Sequence, residues 1–105
     1  MIVSKWKGII MVEIIKLVSG EEIIATTKNL DNGIVELDKP CVIQIVPSRA
    51  NPDQPAMALL PYAVYTEKHR IKISAKDIVW REEPLKELYN QYSSAFGSGI
   101  QFASV

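Results

Sequence analysis

The chain has 105 residues, 48% of them hydrophobic, and its twelve basic side chains are matched by twelve acidic ones. That length supports one domain with a core of its own. The zero balance excludes a monomer that grips a polyanion by overall charge; a basic surface would have to arise from copies of one loop brought together.

Met1 to Ile10 mixes basic and apolar residues. It is too short for a secretory leader and has no small-residue cleavage pattern. Met11 opens a clean strand pattern, so residues 1–11 read as an N-terminal extension before a β domain over 12–81. Val12 to Val18 is β-rich and partly alternating, and Ser19-Gly20 ends it. A glycine between two β runs marks a tight turn, where positive φ costs little. Glu21 to Lys28 is the expected partner strand. Asp31-Asn32-Gly33 carries the strongest short hairpin signal, Asn-Gly.

Ile34 to Val46 reads as one long strand with a kink or bulge near Asp38-Lys39-Pro40, because proline is tolerated at bulges and edges. Cys41, the one cysteine, lies in the apolar run CVIQIV. It reads as a small buried strand residue, not a catalytic thiolate, since no base can be assigned to it. A single cysteine excludes an intrachain disulfide framework and fits a reducing cytoplasm.

PSRANPDQP, residues 47–55, is the clearest loop. Ala56 to Tyr65 is expected as a strand broken by Pro61. Glu67-Lys68-His69-Arg70 reads as a charged turn, either solvated or in contact with phosphate. His69 has no second His or Cys partner for a metal. Arg70 to Ile73 and Ile78 to Trp80 are short strands around the turn Ser74-Ala75-Lys76-Asp77.

Leu85, Leu88, Tyr89 and Tyr92 then fall on one helical stripe. Pro84 suits a first helical position, and Glu82-Glu83 favour a helix N-terminus. The helix is expected over 82–96, with a tail over 97–105. No apolar run approaches the roughly 20 residues of a membrane span, so no membrane partner is expected. The chain therefore reads as mainly β: about five short, strongly bent antiparallel strands in a small open barrel, followed by a C-terminal helix. Open edges must be covered or paired.

Ile15, Leu17, Gly20, Ala25 and Asp31 follow the spacing of the first motif of the Sm and Like-Sm proteins. Ile73-Ser74-Ala75 and Ile78-Val79-Trp80 echo the second. The whole chain resembles the Sm-like proteins of marine phages, notably those related to cyanophages. That resemblance rests on KLVSGEEIIA, the loop flanked by Ser48, Ile71-Lys72-Ile73 before Asp77-Ile78-Val79, and above all LYNQY followed by FGSGI at the end. It implies a homo-oligomeric ring of roughly five to seven subunits, in which one subunit's fourth strand pairs with its neighbour's fifth. The interface would then lie at Ile71, Ile73, Ile78, Val79 and Trp80. The resemblance also implies binding of single-stranded, often uridine-rich RNA near the central pore.

The base-reading positions depart from the family pattern. Gly33 and Val35 stand where a stacking residue and an Asn are expected, and Ser74-Ala75 replaces Arg-Gly. An aromatic platform, worth roughly 1–3 kcal/mol per base, is missing there. The candidate nucleic-acid contacts are Asp31, Asn32, Lys72, Ser74 and Lys76, with RNA or single-stranded DNA as ligand. Asp31 also reads as an aspartate that merely bonds its own turn, and Lys76-Asp77 as a solvated one. Tyr89, Tyr92 and Phe96 read as packing against a core or a neighbouring subunit more readily than as base-stacking groups. Neither an enzyme nor a cofactor is expected, since no catalytic constellation is present. The competing expectation is a structural or protein-interaction ring that binds no nucleic acid.

Overall fold

A computed structural model of the chain describes residues 9–48, 50, 53 and 55–97. The expected extension before Ile9, the expected tail beyond Gly97 and part of the 47–55 loop lie outside the described residues. The fold is mainly β. Among the described residues six strands, β1 (Ile10–Leu17), β2 (Glu22–Asn29), β3 (Ile34–Val46), β4 (Ala56–Pro61), β5 (Arg70–Ser74) and β6 (Ile78–Glu82), precede one short α-helix, α1 (Lys86–Tyr92). Every strand pairing is antiparallel. No helix among the described residues is long and apolar enough to cross a membrane.

The six strands fill five places. β6, β1, β2 and β3 lie side by side, and β3 is long enough to hold two partners on its free side. Its first half pairs with β5, from Ile34 opposite Ser74 to Asp38 opposite Arg70. Its second half pairs with β4, from Cys41 opposite Pro61 to Val46 opposite Ala56. β4 and β5 are thus two halves of one interrupted edge. The strand expected to run to Tyr65 stops at Pro61, because Tyr62 to His69 leave the sheet as a looped excursion.

The turns behave as their residues require. Asn32 and Gly33 take φ of 64° and 73°, the left-handed pair that a tight hairpin turn needs and that Asn and Gly supply most easily. Gly20 takes φ of 111°, which a side chain would resist. The kink expected in β3 is a bulge. Ile24 pairs with Cys41 but Thr26 pairs with Asp38, so the register slips by one, and Lys39 sits at φ 52°. One slip turns the following side chains to the other face.

The sheet consequently has two apolar faces. Ile15, Leu17, Ile23, Ala25, Val35 and Leu37 form the inner core, with Val42, Tyr62, Ile71, Ile73 and Ile78 packed on it. Ile24 and Cys41 form the outer core, and Leu88 and Tyr92 cover them from α1. Met57, Leu59 and Phe96 complete that layer.

The C-terminal helix is present but shorter than expected. Glu82 closes β6, residues 83–85 are not helical, and α1 starts at Lys86. Pro84 is therefore not a first helical residue, and Leu85 drops off the packed stripe onto the surface. Leu88 and Tyr92 alone bury their side chains, and the chain then widens into a π-helical turn over Ser93–Gly97. β1 begins two residues before the expected domain boundary.

The curl of the sheet follows from two registers. Leu17 pairs with Ile78 at one end of β1, and Ile34 pairs with Ser74 at the start of β3. In a flat sheet these corners would sit at opposite ends of β2, about 25 Å apart along eight residues. The link from Ser74 to Ile78 spans at most about 15 Å. The sheet must bend to bring the corners together. Among the described residues it is not closed: β6 pairs with β1 alone, and β4 and β5 with β3 alone.

Candidate nucleic-acid interface at the paired turns

The curl places two turns side by side. Asp31–Gly33 precedes Ile34, and Ala75–Asp77 follows Ser74, the residue opposite Ile34. Four sequence candidates, Asp31, Asn32, Ser74 and Lys76, therefore meet at one end of the sheet. Ser74 shapes its turn as an N-cap does, its hydroxyl accepting the Lys76 N–H at 3.1 Å. On the far side, the Val18 N–H donates to the Asp77 carbonyl at 2.9 Å, which ties the β1–β2 turn to the same rim.

Lys72 stands two positions back along β5, opposite Glu36. It belongs to a mixed-charge strip. Arg70 reaches Asp38 at 3.3 Å and Glu36 at 3.7 Å, and Lys39 reaches Asp38 at 3.7 Å. At the rim, exposed Lys76 shares its turn with Asp77, and the adjacent turn carries Asp31. Glu21 adds a further negative charge, its carboxyl held below the usual range chiefly by the hydrogen bond from the Ser19 hydroxyl. Among the described residues of the two turns, the acids Asp31 and Asp77 outnumber the one base, Lys76, and Val35 lies buried in the inner core.

The expected interface residues divide by burial. Ile71, Ile73 and Ile78 turn inward onto the chain's own core. Val79 and Trp80 are exposed, at 58% and 39%. Lys16 pairs with Trp80 and Leu17 with Ile78, so Val79 is the extra residue of a second bulge. Bulges re-aim side chains and twist an edge.

A polar cluster on the inner face escaped the sequence reading. Glu13 is only 6% exposed. The Arg81 Nε donates to both of its carboxylate oxygens, at 3.3 and 3.1 Å, and Nη2 donates to Oε2 at 2.5 Å. The Thr27 hydroxyl donates to the same carboxylate. Arg81 Nη1 donates to Asn29 Oδ1 at 2.9 Å, two residues before the Asp31 turn. The available signal was an acid in the buried phase of an alternating strand, with Ile15 and Leu17; such a charge must find a partner. Among the described residues no group of three or more His, Cys, Asp or Glu could hold a metal ion. No protein-family model and no curated protein matches the chain.

Proposed function

We propose that the protein is an Sm-like subunit that assembles head to tail into a homo-oligomeric ring of roughly five to seven copies and binds single-stranded nucleic acid at the paired turns, in processing of phage or host nucleic acid. One observation carries the reading: the two free edges of the curled sheet. Among the described residues β5 and β6, five residues each, pair on one side only, β5 with β3 and β6 with β1, which leaves the other side of each as an edge. A heterologous contact between such edges generates a ring when its rotation closes, and it answers the hazard of an open edge. The paired turns would then recur around one axis, and Lys72 and Lys76 with them.

Phosphate contact by these lysines gives weak binding with little base preference, since Gly33 and buried Val35 offer neither a stacking platform nor an amide. The test measures mass by light scattering and titrates uridine-rich and mixed oligonucleotides at two salt concentrations. A multimer whose binding weakens steeply with salt is expected. A monomer at micromolar concentration sinks the ring. A strong uridine preference sinks the unselective site.

The acidic company of Lys76 favours a second reading, a structural ring without nucleic acid. Asp31 and Asp77 outnumber Lys76 at the rim, and repetition around an axis multiplies acid as well as base. A multimer that binds no strand at low salt decides for this reading.

A further inference from the structure

The excursion between β4 and β5 is built too rigidly for an idle loop. Lys39 and Pro40 of β3 are all that separate the two edge pairings on that strand, yet Tyr62 to His69 stand opposite them. Eight residues facing two must be pushed out of the sheet. The base of the excursion is sealed. The Tyr62 N–H donates to the Pro40 carbonyl at 2.8 Å, and the Lys39 N–H to the His69 carbonyl at 2.8 Å. The His69 Nε2 sits 3.1 Å from the Pro40 carbonyl and 2.9 Å from the Tyr62 carbonyl, so this nitrogen carries the proton and donates to both. The His69 ring also meets Phe96 edge-on.

The interior is equally fixed. The Thr66 hydroxyl donates to the Ala63 carbonyl at 3.0 Å and accepts the Arg70 N–H at 3.1 Å. Ala63 and His69 hold left-handed φ of 59° and 52°, a conformation that non-glycine residues keep only where their surroundings impose it. This frame presents Tyr65 with 97% of its surface in solvent, beside Val64 at 48%. The backbone beneath the ring is held, so binding has only the two side-chain torsions of Tyr65 left to fix, a low cost for an interface anchor.

We infer that the Tyr62–His69 excursion is a second contact to a neighbouring copy of this chain, with Tyr65 as its anchor; the inference rests on the ring reading. Two observations select that occupant. Five-residue strands are about 17 Å long, and pairing one with another falls short of the roughly 800 Å² per partner that a stable interface needs. The excursion projects from the same edge and adds apolar area there. The edge strand it would approach in a head-to-tail contact carries its own exposed apolar groups, Val79 and Trp80, with Leu85 and Tyr89 just beyond. A nucleic-acid base fits less well. Arg70 is engaged by Asp38 and Glu36, which leaves Lys68 beside Glu67 and no local positive field.

The experiment follows the mass of the unmodified protein, Tyr65→Ala and the double variant Val64→Ser/Tyr65→Ser on dilution, with thermal melts of each. Tyr65 hardly touches its own chain, so the fold survives its removal. The expected result is that the variants dissociate at a concentration roughly tenfold higher or more. Variants that dissociate where the unmodified multimer does overturn the inference and leave the ring standing. An unmodified protein that is monomeric at micromolar concentration overturns both. If Tyr65→Ala leaves the mass unchanged but weakens oligonucleotide binding, the occupant is a base and not a second copy.

Discussion

The backbone N–H of Thr26 donates to the hydroxyl of Tyr92 at 3.1 Å, across 66 positions of chain. This hydrogen bond fills the gap that the Lys39-Pro40 bulge opens between β2 and β3. The same hydroxyl lies 3.0 Å from the carbonyls of Asp38 and Lys39, and its one proton is shared between them. A helix residue thus completes the ladder where the strand cannot. It fixes α1 over the outer core and keeps the bend that brings the paired turns together.

Tyr92→Phe retains the ring and removes the hydroxyl. It leaves the Thr26 N–H and the bulge carbonyls without their partner in a buried seam, at a cost of about 1–3 kcal/mol. Urea unfolding should show a lower midpoint with unchanged slope. An unchanged midpoint would mean that the bulge closes without the helix.

Stability should fall in alkali. Burial pushes the Tyr92 phenol up to about 12, and burial likewise pushes the Cys41 thiol up to about 12. In the unfolded chain these groups ionise near their ordinary values, about 10 and about 8.5. A folded value above the unfolded one gives stability that is complete below the unfolded value and is lost as pH rises through the folded one. Urea midpoints should therefore hold near pH 7, start to fall above about pH 9 and keep falling towards pH 12. Tyr92→Phe should flatten the upper part of that profile.

Cys41 is fully buried and should resist thiol reagents at pH 7 to 8. Its labelling rate should track the opening of the outer core and rise sharply in Tyr92→Phe. Rapid labelling of the folded protein would contradict the packing of α1.

The Glu13–Arg81 pair should matter asymmetrically. Arg81→Met strands a buried carboxylate and should cost about 3–5 kcal/mol. Adding Glu13→Leu removes the stranded charge and should recover much of the loss. Chemical denaturation of the two single variants and the double one checks this. Equal stability of Arg81→Met and the double variant would show that Glu13 reaches water once its partner is gone.

Lysines on an edge strand block its pairing with another chain. Val79→Lys/Trp80→Lys places two of them on β6, where both side chains are exposed, so the fold should persist while the proposed ring should not form. Sedimentation should find a folded monomer. A multimer of unchanged size would place the contact elsewhere on the surface.

The sequence by itself determined the local elements. Gly20 and Asn32-Gly33 marked turns because few other residues tolerate their φ, Pro40 marked the bulge because it cannot donate to the ladder, and the stripe Leu85, Leu88, Tyr89 and Tyr92 marked a helix, of which only Leu88 and Tyr92 are buried. It also determined four of the five candidate contacts that gather at one end, since Asp31, Asn32, Ser74 and Lys76 all lie in or beside turns. Tertiary structure decided what depends on partners distant in the chain. β3 is long enough to take two partners, which turned an expected strand from Ala56 to Tyr65 into a shorter strand and an excursion. The pairing of Ile34 with Ser74 brought two turns together that lie more than forty residues apart in sequence. Glu13 found Arg81, and Tyr92 found Thr26, because the curled sheet carried each pair into one buried space. Local signals fix φ and the turn positions; which edge meets which is decided only when buried groups must be satisfied together.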